Sequence, residues 1–386
     1  MGELGQIVAG TIHPDAQHHF RKTIPQFVPQ PHARPTRILE VSEPRKILIR
    51  RVFTAILRTD PNFVMHQAQL GPLLSMDYGE LVDLGPSYNA REILIHIGFQ
   101  RDVARMLVTS GPGAGFDKGD KKSRDQSIVD EARDRDRDTC TVTRLAICHM
   151  SHILPFWATS TQGNVDRTVR CFHSMSMMLS SDDFQELLEM VEEVRGCEKM
   201  ENVFALNPAL HGLMDKAFVA FEVFSVAQRP DGRWDTTLKF HFLPVCKTYS
   251  VSSPRTLEGA IEILDDLFDQ AQRAGLPARE PPKYPQAEGY IGARLKSGEW
   301  LRSGHLFTIT HPTQKAAELC ATFFRWQWAC ARIWCISGGA EPQELRGGND
   351  DDDDGWKLRV RGSTDDLQQD VDADTGGLPL RPPPPA

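Results

Sequence analysis

Apolar residues recur along this chain at two spacings, and each spacing predicts a different element. Over DFQELLEMVEEV (183–194), Leu187, Leu188, Val191 and Val194 fall on one stripe of a 3.6-residue period, which predicts an amphipathic helix buried on that side. Over TTLKFHFLPV (236–245), Leu238, Phe240 and Phe242 alternate with Lys239 and His241, the period of a strand packed on one face. That segment follows AFVAFEVFSV (217–226) after RPDGRW, whose Pro-Asp-Gly favours a turn, so the pair predicts a hairpin. By contrast KAAELCATFFRWQWACARIWCISG (315–338) is apolar nearly all round, as a helix inside a core must be.

Shorter signals fill in the rest. Val203 to Leu206 reads as a strand, Asn207 as an N-cap, and Pro208 takes the first helical position, where its missing N–H costs nothing. The run Leu145 to Met150 is apolar and bounded by polar residues, which predicts another strand. SIVDEARDRDRD (127–138) has the charge density of an exposed helix. Ser87 is placed to cap a helix burying Ile93, Ile97 and Leu107 with Arg101 and Arg105 outward. Ser253-Pro254 is placed to open one burying Leu257, Ile261, Leu264, Leu267, Phe268 and Ala271, which Gly275 stops before a Pro-rich loop (277–285). The expected organisation is a mobile arm (1–36), an N-terminal α/β region (37–110), a Gly-rich charged linker (111–126), a second domain (127–342) and a disordered acidic, Pro-rich tail (343–386). No internal repeat is visible.

Composition narrows the partners. The 386 residues carry 52 acidic and 44 basic side chains, but ten Asp against four basic residues in 350–386 account for most of the net −8. The remaining body is near neutral, with no overall electrostatic footprint for nucleic acid, although a local patch stays open. No apolar run approaches the roughly 20 residues that span a bilayer, and MGELGQIVAG lacks the basic and apolar regions of a signal peptide. No membrane partner is expected, and an intracellular location, cytoplasmic or nuclear, is. Eight cysteines without a CxxC pair are expected to be buried and reduced.

The residues that carry chemistry are His152 at the end of one strand, Asn202 at the start of the next, and His211 with Asp215 on the following helix. His211 and Asp215 are i and i+4, so they share a helix face and can point at one ion, or can simply be a surface pair. His152 has the alternative of a core-edge imidazole bonded to backbone. The strand, strand, helix order is what a ββα metal site requires, and all four residues are expected to converge on one pocket.

These segments, RDTCTVTR (137–144), SHILPF (151–156) and ENVFALNPALHGLMDKAFVAF (201–221), resemble the HNH endonucleases, and more closely the HNH-domain proteins common in fungi. ELCATFFRWQWACARIWCISGGAEP (318–342) resembles the helix that ends those fungal proteins. The resemblance covers about 137–342 and implies an α+β fold: a ββα-metal core with added strands and helices, beside an N-terminal region of uncertain fold. It further implies that His152 is the general base, that His211 is a ligand of a divalent metal (Mg²⁺ or Zn²⁺) with Asp215 as a second ligand, and that Asn202 is either a ligand or the group that pins the hairpin loop. A neutral imidazole, ordinary pKa about 6.5, can take a proton from water at neutral pH. Where active members often place Asp or His before the base, this chain has Ser151, a weak ligand, with His149 as a substitute only if Met150 to His152 bulges. The implied function is a metal-dependent endonuclease on DNA. The competing one keeps the scaffold with changed or lost nuclease chemistry, as an enzyme on a small molecule, for instance in secondary metabolism, or as a binding protein.

Overall fold

In a computed structural model, the structure describes residues 42–63, 65–76, 78–87, 125–172, 179–215, 217–243, 254–255 and 293–336, with the single positions 33 and 176. Ser42 caps α1 (Glu43–Thr59), whose Leu48, Ile49, Val52 and Ile56 are buried at helical spacing. A two-residue strand, β1 (Met65–His66), leads into α2 (Gln67–Ser75) and α3 (Tyr78–Ser87). Buried Arg45 ties α1 to the end of α2 by donating to the Met76 carbonyl at 2.8 Å. After the undescribed stretch come α4 (Gln126–Arg135), β2 (His149–His152), α5 (Gln162–Phe172), α6 (Ser181–Val191), β3 (Val203–Leu206) and α7 (Pro208–Met214). The remaining elements are β4 (Val219–Gln228), β5 (Trp234–Phe242), β6 (Pro254–Arg255), β7 (Leu306–His311) and α8 (Gln314–Ile336).

Among the described residues the result is a mixed α+β architecture with three small antiparallel sheets: β2–β3, β4–β5–β7 in that order, and the short pair β1–β6. Helix α8 organises it. It packs along β4 and β5 on one side and against α2 on another, which explains why its apolar residues run around the whole helix. Phe221 of β4 sits edge-on to Phe204 of β3, Phe307 of β7 and Phe324 of α8, at centroid distances of 5.5, 5.6 and 5.8 Å. One ring therefore joins two sheets and the central helix, and fully burying each such ring contributes about 2–3 kcal/mol. Trp326 stacks on Phe172 at 4.1 Å, and Arg325 of α8 donates to Asp183 at 2.6 Å, which fastens α5 and α6 to the same helix. Among the described residues no helix is long and apolar enough to cross a membrane.

The structure departs from the sequence reading at particular points. The expected strand Leu145 to Met150 begins only at His149, because Arg144 and Ile147 take left-handed φ of 60° and 69°, which a strand cannot contain. Val194 lies beyond the end of α6 and is 45% exposed. Lys239 and His241, expected to face solvent, are 7% and 1% exposed. Glu222 accepts from both, at 3.1 and 3.0 Å, and Trp328 of α8 covers His241 at 4.8 Å. Ser87 is the last residue of α3, and Pro254–Arg255 pair with β1 as a strand. The arm (apart from Ala33), most of the linker, the helices expected after Ser87 and Ser253, the loop 277–285 and the tail lie outside the described residues.

Candidate functional site

Strand β2 pairs with β3 antiparallel and without a register shift, His149 opposite Leu206 and His152 opposite Val203. Asn207 follows β3 at once, and its side chain accepts from Ala209 N–H at 3.0 Å to start α7. A strand, its partner and a helix thus occur in the expected order. His211, one turn into α7, has Nε2 3.6 Å from Asp215 Oδ1, and both side chains are 28% exposed. The two residues are brought together.

The neighbour that His211 meets on β2 is His149. Their Nδ1 atoms are 3.5 Å apart and their rings stand edge-on. The pleat explains this: His149 and Ser151 share one face of β2, and Met150 and His152 share the other. No bulge is needed, contrary to the condition under which His149 was expected to reach the site. Two imidazole nitrogens about 3.3–3.5 Å apart is the spacing of two ligands held at about 2.1 Å from one tetrahedral ion. Ser151 Oγ, on that same face, is buried without a hydrogen-bond partner among the described residues. These observations fit a cation held by His149 and His211. Asp215 lies on the other ring nitrogen of His211, where a carboxylate orients an imidazole. Among the described residues no group of three or more His, Cys, Asp or Glu side chains is close enough to enclose an ion. Burial raises the thiol pKa of Cys148, the residue before His149.

Asn202 is wholly buried and fully committed. Its Oδ1 accepts from Leu154 N–H at 2.7 Å, and its Nδ2 donates to the carbonyls of Leu154 and Cys197, both at 2.9 Å. Of its two expected roles, this is the geometry of the pin: it fixes the turn that leaves β2 just after His152. His152 is partly buried, 6.2 Å from the Phe156 ring and on the pleat face opposite His149. His149 is the residue that sequence reasoning undervalued. Its only signal was the period of two that places it beside Ser151. Two open depressions, of about 580 and 540 Å³, lie along α5 and between α6 and α8, and neither is lined by these histidines. Comparison with protein families, with curated proteins and with solved structures finds no match for this chain.

Proposed function

We propose that the chain is a metal-dependent endonuclease of the HNH type that hydrolyses phosphodiester bonds of DNA. The observation that supports this best is the His149–His211 pair at the solvent-facing end of a strand–strand–helix unit, with the nitrogens 3.5 Å apart. In this reading His149 and His211 hold a divalent cation, and Asp215 orients the His211 ring. Two nitrogen donors favour Zn²⁺ or another transition ion over Mg²⁺, which prefers oxygen. The cation, when bound, offsets charge on the phosphate and on the leaving oxygen. His152 accepts a proton from the attacking water as the new P–O bond forms and the ester P–O bond breaks. Asn202 keeps the His152 turn in place without touching substrate.

The second reading, a scaffold whose nuclease chemistry has changed, is favoured by one observation: His152 lies on the opposite pleat face from His149. Plasmid cleavage with Mg²⁺, Mn²⁺ or Zn²⁺ tests the choice. Wild type should nick or linearise DNA, and His152→Ala should do so about 10²-fold or more slowly with its fold intact. No cleavage by folded wild type with any of these ions would refute the nuclease reading.

A further inference from the structure

Residues 293–302 form a small hairpin closed by the antiparallel bridge Arg294↔Trp300, with Gly298 in its turn at a φ of 87°. Leu295 and Leu301 are buried and seat it, while Arg294, Lys296, Trp300 and Arg302 are exposed. The Lys296 N–H donates to the Thr143 carbonyl at 2.8 Å, so the hairpin is docked on the loop that runs into β2. That loop, residues 139–148, contributes exposed Arg144 and no carboxylate. The combined face carries four cations against the single acid Glu299, and Asp138 just upstream is paired with Arg133. In a body that is near neutral, this is a local positive field.

Arg294 is also set in place. Its guanidinium carbon sits 4.2 Å over the Trp300 ring, and one N–H donates to the Gly298 carbonyl at 2.9 Å. A guanidinium fixed by a ring and a carbonyl loses little entropy when its remaining donors meet an anion. Distance ties the face to the site. Thr143 precedes His149 by six residues, which reach at most about 20 Å, less than one turn of duplex DNA at about 34 Å.

We infer that the face formed by the 293–302 hairpin and the 139–148 loop grips the phosphate backbone of duplex DNA and presents it to the histidines, an inference that rests on the nuclease reading. Arg294, Lys296, Arg302 and Arg144 contact phosphates, and Trp300 positions Arg294.

The test is binding of the full chain to a fluorescently labelled DNA duplex in EDTA, by anisotropy, over a series of KCl concentrations. Each phosphate contact removed lowers the slope of log affinity against log salt by about 0.9. Arg294→Ala, Lys296→Ala and Arg302→Ala combined should reduce that slope by about 2–3 and weaken binding about tenfold or more at low salt. Lys296→Gln, which keeps the backbone bond to Thr143, should reduce it by about 0.9. Trp300→Leu should weaken binding while Arg294 remains. Absence of duplex binding by wild type, unchanged binding by the triple variant, or a preference for RNA duplex over DNA would overturn the inference. Hairpin-dependent binding without cleavage under any metal would keep this surface and remove the nuclease reading. Cleavage with triple-variant binding undiminished would do the reverse.

Discussion

Truncating Asn202 separates a pin from a direct participant in chemistry. Asn202→Ala removes three buried hydrogen bonds, of 2.7, 2.9 and 2.9 Å, and leaves the N–H of Leu154, itself fully buried, with no acceptor from this side chain. Three net hydrogen bonds at about 1 kcal/mol each, plus about 1–2 kcal/mol for the stranded donor, give roughly 4–5 kcal/mol of destabilisation. For a folded unit of this size that lowers Tm by roughly 10–15 °C. Asn202→Asp keeps the acceptor for Leu154 N–H but turns carboxylate lone pairs toward the Leu154 and Cys197 carbonyls. It should be at least as damaging at pH 7, and less so as pH falls and the carboxylate, its pKa raised by those oxygens, takes up a proton. Urea unfolding followed by circular dichroism measures both. A cost below about 1 kcal/mol for Asn202→Ala, or a variant of full stability that has lost cleavage, would refute the pin and place Asn202 in the chemistry.

The other expectations concern the ion, acid stability and packing. His149→Ala and His211→Ala should each weaken Zn²⁺ binding at least about tenfold by calorimetric titration, with activity partly restored by added metal; wild-type affinity in either variant would break the ligand pair. Burial, with Arg135 nearby, pushes His311 down to about 3, so between pH 6.5 and about 3 the unfolded chain binds the extra proton and stability falls as pH falls, by up to about 1.4 kcal/mol per unit. His311→Leu should flatten that acid limb in urea titrations at pH 7, 6, 5 and 4, and an unchanged slope would assign it to other groups. A Cβ at Gly196 would lie 1.9 Å from the Met190 carbonyl oxygen, so Gly196→Ala should cost about 3 kcal/mol in the same unfolding assay, and a neutral result would mean that the turn relaxes freely.

What the sequence made legible was local. The β3–α7 junction follows from Asn207-Pro208, where cap and first-turn residue are adjacent, and α8 follows from an apolar composition that no surface helix tolerates. What stayed hidden depends on partners remote in the chain. The Leu145–Cys148 run has strand composition, yet pairing with β3 starts at His149, and two left-handed residues upstream decide that start. Lys239 and His241 alternate as a solvent face should, and only Glu222 on the neighbouring strand and Trp328 on α8 make their burial affordable. His149 gains its meaning from a helix residue 62 positions later, a relation that no short-range pattern encodes. His211 was thus readable as a candidate, and its contact with His149 was not.

That contact is built from two sides of β3 by different means. On one side, the Asn207 cap fixes where α7 begins and hence where His211 falls. On the other, the segment between α4 and β2 holds four non-glycine residues in left-handed conformation, Arg137, Asp138, Arg144 and Ile147, at φ of 56°, 53°, 60° and 69°. Each costs about 1 kcal/mol or more, and β-branched Ile147 is 78% exposed, so its own packing does not offset the strain. The compensation comes from a clamp onto β3: Asp136 Oδ2 accepts from Ala205 N–H at 2.8 Å, Thr141 N–H donates to the Ala205 carbonyl at 2.8 Å, and Arg135 donates to the Val203 carbonyl at 2.6 Å. His305 adds a contact to the Val142 carbonyl at 3.0 Å from beside β7. His149 leaves this clamp after Ile147 with its direction already set. The 3.5 Å between the imidazoles is therefore a property of β3, which receives the clamp on its outer edge and launches the helix from its end, and not of α7 alone.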